Sequence, residues 1–116
     1  MPRMPADALL AKTTQVTSGA LSYTTNFSNR WRLVSVTVRW NTAPATSGNL
    51  TITTDDTAGS AYDTVLYSQD PSSTSATSVS FIPEGDLLFE KNTEIVIAHS
   101  NTDNRTISVN VRGEVF

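Results

Sequence analysis

The chain has 116 residues, of which 38% are hydrophobic and 16% charged, with a net charge of −3 and an isoelectric point near 4.9. That length supports one domain with a single core. The absence of cysteine excludes disulfides and thiolate metal sites. The basic residues are scattered, with only Arg30 and Arg32 close together, so no nucleic-acid surface is expected. No apolar run approaches the ~20 residues of a membrane span. Nor is a secretory pattern present, since Ala8-Leu9-Leu10-Ala11 is too short for an apolar signal core and follows Asp7 directly.

Eighteen Thr and 14 Ser replace many of the missing charges. Threonine is β-branched and fits a pleated, half-exposed surface, so the composition reads as β-rich rather than disordered. A surface of hydroxyls and amides suits broad contacts with a neighbouring molecule.

Residues 1–7 read as an extended arm, because Pro2 and Pro5 forbid a regular ladder or helix. Pro2, Arg3, Met4 and Pro5 give the arm two fixed φ angles, one charge and one adaptable apolar side chain, and it is expected to pack against another chain. Residues 8–116 then form a single sandwich domain. Leu9 to Val16 is the first strand, closed by Thr17-Ser18-Gly19; Leu21 to Phe27 follows, with Leu21, Tyr23 and Phe27 on one parity. Trp31 to Trp40 is the strongest strand: Val34, Val36, Val38 and Trp40 alternate with Ser35, Thr37 and Arg39. Trp31 and Leu33 fall on the opposite parity, which predicts a bulge or a crossing near Leu33–Val34.

Leu50 to Thr54 is a strand inward at Leu50 and Ile52, and Asp55 to Asp63 is a loop around Gly59. Thr64 to Gln69 stops before Pro71, because the residue preceding proline is conformationally restricted. Ser72 to Ser78 reads as loop feeding a strand to Phe81-Ile82, and Pro83-Glu84-Gly85-Asp86 as a turn. Leu87 to Phe89 is short, Thr93 to Ser100 is a further strand, and Asn101 to Asn104 reads as a hairpin turn. In the closing strand, Ile107, Val109, Val111 and Val115 oppose Thr106, Ser108, Asn110, Arg112 and Glu114, giving one dry and one wet face. About eight short strands with turn signals every 8–12 residues predict an all-β, jelly-roll-like antiparallel sandwich.

No residue set points to catalysis. His99, the only histidine, shares the parity of Ile95 and Ile97 and is expected in the core at a strand end, without the nucleophile and orienting partner that a general base needs. Asp55, Asp56 and Asp63 bracket a loop that fits no calcium-binding spacing and reads as a solvated turn; Glu84, Asp86 and Glu90 are a weaker version of it. Among the aromatic residues that would stack on sugars, Trp31, Trp40 and Tyr67 read as core or loop anchors, and Tyr62 is the better exposed candidate. Arg30 and Arg32 flank a strand entry and face water or a partner's carboxylate.

The runs Trp31-Arg-Leu-Val-Ser-Val-Thr-Val, Ala43-Pro-Ala-Thr-Ser-Gly-Asn-Leu-Thr-Ile-Thr, Ala58-Gly-Ser-Ala-Tyr-Asp-Thr-Val-Leu66 and Glu94-Ile-Val-Ile-Ala-His-Ser-Asn-Thr-Asp-Asn-Arg-Thr106 resemble small jelly-roll decoration (cement) proteins of tailed-phage capsids. The resemblance covers about residues 30–116 and rests on strand edges and turns. It implies a structural, non-enzymatic virion protein with no cofactor or metal, made in the host cytoplasm and placed on the capsid exterior. Its implied partners are the major capsid protein and two further copies in a homotrimer, with no nucleic acid, membrane or small-molecule substrate. The partner-binding residues expected on this reading are Pro2, Arg3, Met4, Pro5, Arg30, Arg32 and Tyr62. The alternative is a glycan- or receptor-binding module of a phage fibre or tail.

Overall fold

The computed structural model describes residues 9–27, 30–56, 63–85, 87–90 and 93–116. The proline-bearing arm, the loop 57–62 with Tyr62, and Asp86 therefore lie outside the described residues. Nine strands form two antiparallel sheets: β1 (Leu9–Val16), β2 (Leu21–Thr25), β3 (Trp31–Trp40), β4 (Leu50–Asp56), β5 (Val65–Gln69), β6 (Ser78–Phe81), β7 (Leu88–Phe89), β8 (Thr93–His99) and β9 (Ile107–Val115). Sheet A runs β1-β9-β3-β6, with β7 pairing the other half of β3; sheet B runs β2-β8-β4-β5.

The pairings are nested. β1 pairs β9, β2 pairs β8, β3 pairs β6 and β7, and β4 pairs β5, as though one long folded ribbon had been wound around itself. The contacts β3–β9 and β4–β8 then close the two sheets. This winding is that of a jelly roll, the architecture the strand count and unequal loops predict. It also corrects one reading: Ser100–Thr106 is not a hairpin turn, because it carries the chain from β8 in sheet B to β9 in sheet A. Alternation gives each strand its faces but not its partner.

The two inner faces supply the core. β8 and β9 alternate buried with less buried residues along their length, placing Ile95, Ile97, Ile107, Val109, Val111 and Val115 inside. β3 buries Trp31 and Leu33, then Val36, Val38 and Trp40. The change of parity is absorbed where the β3–β9 register shifts between Leu33 and Ser35, so Val34 is the extra residue of a bulge. An aromatic cluster seals one end: Phe27 meets Trp31 edge-on at 5.0 Å between centroids, and Trp31 lies 4.8 Å from Phe89. At the other end the Trp40 ring meets His99 edge-on at 5.4 Å.

Two local features escaped the sequence pattern. Pro71–Thr74 forms one turn of 3₁₀ helix, with Pro71 opening it and the Asp70 carboxylate accepting from the Ser72 N–H at 2.9 Å. Gly113 interrupts the inward apolar series of β9, and the Phe27 ring occupies the space its missing side chain leaves. β1 is an edge strand exposed over most of its length. Its inward parity carries Lys12, whose ammonium sits 5.2 Å from the Phe27 ring centroid. An inward-pointing charge on an edge discourages a further strand from adding there.

Candidate interaction surfaces

The end of the sandwich around Trp40 is tied together by asparagine and aspartate side chains. Asp103 accepts from the N–H groups of Ala45 and Thr46 at 2.9 and 2.8 Å and from the Thr46 hydroxyl at 2.8 Å. Those bonds stabilise the charged carboxylate and hold its pKa below the ordinary value. Asn101 sits in the left-handed region at φ 49°, donates to the carbonyls of Gly19 and Arg105, and accepts from the Arg105 N–H. One buried amide thus joins the β1–β2 and β8–β9 connections. His99 Nδ1 accepts from the Asn101 N–H at 3.0 Å, which places the proton of the neutral ring on Nε2. That Nε2 is buried and faces the Gly48 backbone without a well-formed hydrogen bond. Burial lowers the His99 pKa, against the opposing pull of the Gly48 backbone, Asp70 and Asp103. The expected core histidine is therefore in the core, but only half satisfied. Among the described residues no hydroxyl is hydrogen-bonded to the ring.

At the opposite end, Arg32 Nε and Nη2 both donate to Glu114 Oε1, at 3.0 and 2.9 Å, in a half-buried pair. Arg30 Nε donates to Glu90 at 3.1 Å in an exposed one. The carboxylates that meet these two arginines belong to this chain. Pro2, Arg3, Met4, Pro5 and Tyr62 lie outside the described residues. Asp55 and Asp56 end β4, and among the described residues no three acidic, histidine or cysteine side chains converge as metal ligands would. Trp31 and Trp40 are core residues, not sugar platforms.

Charge is divided between the sheets. The strands of sheet A carry Lys12, Arg32, Arg39 and Arg112 against Glu114 alone; those of sheet B carry Asp55, Asp56 and Glu94 and neither lysine nor arginine. On sheet B, Asp55 and Glu94 are directly opposed across β4 and β8, both on the outward parity. Such a like-charge pair is unfavourable in the isolated chain. On sheet A the outward rows of β1, β9 and β3 line a hollow of about 620 Å³, bounded by Thr13, Gln15, Ser35, Thr37, Asn110 and the arginines 39 and 112. Its size falls within the ~300–1,000 Å³ common for ligand pockets. A smaller apolar recess of about 220 Å³ lies between Arg30, Trp31, Leu88, Phe89 and Phe116. Sequence reasoning did not single out Arg39 and Arg112. Each sits on a polar parity, but only the β3–β9 register brings them onto one surface.

These faces and this winding define a jelly-roll β-sandwich. No family model and no curated protein matches the chain. Solved structures resemble it to different degrees. The core of a Drosophila nucleoplasmin-like protein, described in terms of pentamer formation and histone binding, superposes with a TM-score of 0.50 at 7% identity, covering 94% of this chain and 98% of that one. The Yersinia pseudotuberculosis-derived mitogen gives a TM-score of 0.44 at 9% identity over 95% of this chain and 87% of that one. A chain of maize chlorotic mottle virus gives 0.33 at 13% identity over 95% and 90%. The first of these likenesses is one of fold alone, and the other two superpose too loosely to carry an argument.

Proposed function

We propose that this chain is a structural virion protein: a decoration protein of a tailed-phage capsid that binds the major capsid protein and copies of itself on the shell exterior. The observation that carries this reading is the pair of broad outer sheet faces, built from hydroxyl and amide side chains and bearing opposite charge balances. Such faces suit adhesion by area: many modest polar contacts, multiplied by the symmetry of a shell, rather than one deep pocket. The resemblance of residues 30–116 to cement proteins supports the same reading, and among the described residues no side chains are arranged for bond-making chemistry. A homotrimer fits it, since closed rotational symmetry lets one patch meet a different patch on the next copy. Residues 1–7 act in this scheme as a strap across a capsomer boundary.

The test is co-sedimentation with undecorated shells. Wild-type protein should pellet with shells, and deletion of residues 1–7 should weaken attachment. Because every described strand is retained, that deletion should move the melting temperature by no more than about a degree or two. Equal attachment with and without the arm would remove its role as a strap. Failure of the wild type to bind shells would overturn the decoration reading.

A further inference from the structure

We propose that the outer face of sheet A is a binding site for an acidic, carboxylate-bearing oligosaccharide, with Arg39 and Arg112 taking its carboxylates and Thr13, Gln15, Thr37 and Asn110 its hydroxyls. The site rests on the geometry of the sheet and does not depend on the decoration reading. The Arg39 and Arg112 side chains are exposed, and among the described residues neither has an ion-pair or hydrogen-bond partner, whereas Arg32 on the same sheet and Arg30 just before it are both neutralised. Two uncompensated guanidiniums on one hollow are an anion-recognition feature, because each offers a planar fork matched to a carboxylate.

Register sets their spacing. Arg39 pairs with Ser108 and Arg112 with Ser35 across β3 and β9, so the two lie four residues apart along the strands. That is ~13 Å at the rise of an antiparallel strand. A chain of sugars can span such a distance; a single sugar cannot. Between the arginines on β9 lies Asn110, whose buried Oδ1 has no donor, and beside it Thr13 and Thr37 occupy the same cross-strand row. The floor thus sets an amide side chain between two hydroxyls. Serine, threonine, asparagine and glutamine side chains both donate and accept, as sugar hydroxyls do.

The lining also discriminates between anions. Among the described residues no aromatic side chain lines the hollow, so nucleic-acid bases have no stacking platform. Among the described residues Val109 is the single apolar residue in the lining, which leaves an acidic peptide without an apolar anchor.

The experiment is titration calorimetry of the full chain with oligogalacturonate and oligo-alginate, against neutral dextran oligomers as control. At least one uronate oligomer should bind, neutral dextran should not, and binding should weaken as salt rises. R39A and R112A should each reduce affinity about tenfold or more, and the double variant should abolish it with an unchanged melting temperature. Absence of binding by both uronates, or binding unaffected in the double variant, would overturn the proposal. Equal affinity for polyglutamate or a single-stranded DNA oligomer would overturn the saccharide assignment. So would loss of self-association in the double variant without any uronate binding, which would make the face a contact between copies. No shell enters this experiment, so its failure and that of the decoration reading are distinguishable.

Discussion

Replacing Gly113 by alanine tests how tightly the aromatic end of the sandwich is closed. A Cβ at this position would lie 2.5 Å from Phe27 Cε2, 2.9 Å from Cδ2 and 3.1 Å from Cζ. Carbon atoms in good contact sit ~3.5–4.0 Å apart, so roughly 1 Å of overlap must be relieved. Phe27 has little room to give. It is 1% exposed, is held edge-on by Trp31 and lies beneath the Lys12 ammonium. Overpacking of this kind typically costs ~1–3 kcal/mol. An opposing effect exists, because alanine restricts the unfolded chain more than glycine and stabilises by ~0.4–1 kcal/mol where the backbone permits it. The φ of Gly113 is not in the left-handed region, so nothing in the backbone itself forbids alanine. A net loss in urea melts therefore reports the clash with Phe27. Combining Gly113→Ala with Phe27→Ala should cost less than the sum of the two, with a coupling of ~0.5–3 kcal/mol. A loss below about 0.5 kcal/mol for Gly113→Ala, or strict additivity in the double variant, would refute the packing argument.

Trp40→Ala should cost ~3–5 kcal/mol in denaturant melts, because the ring is buried among Val38, Ile107 and the His99 imidazole. Stability should fall on acidification. His99, Asp70 and Asp103 all have folded pKa values below their unfolded ones, so each contributes stability that is present above the unfolded value and lost as pH falls towards the folded one. The histidine acts first, as pH drops below its ordinary 6.5, and the carboxylates below about 3.8. Melting curves from pH 8 to 5 should show a decline that His99→Gln largely removes; an unchanged decline would place its origin elsewhere. EDTA should leave the melting temperature unchanged, whereas a calcium-dependent rise of several degrees would reveal a cation site that stabilises the folded state.

Much of the architecture was legible in the sequence because strand alternation is a local signal. β1 and β3 begin and end where the pattern places them, and the parity switch at Leu33–Val34 is a bulge in the structure. Pairing was not legible. Nothing in Leu9–Val16 announces that its neighbour is Ile107–Val115, and the Asn101–Asn104 turn has the composition of a hairpin while joining two different sheets. The same limit hid the candidate site. Arg39 and Arg112 each look like an ordinary charge on a wet face, and only the cross-strand register makes them a pair. Gly113 could not be explained from its neighbours in sequence, since the side chain that needs its space is Phe27.

The exposure of β1 gives the sandwich an uneven resistance to opening. This strand is held mainly by its backbone ladder to β9, and its detachment removes few buried side chains from the core. Its amides should exchange with solvent through local fluctuations long before those of β3 or β9. What such a fluctuation uncovers is the flank of β9, a nine-residue strand whose inward residues are Ile107, Val109, Val111, Gly113 and Val115. The inward lysine that guards the native edge leaves with β1. A seam that can open without disturbing the core therefore borders a long template for strand exchange between copies, and the hazard grows with concentration.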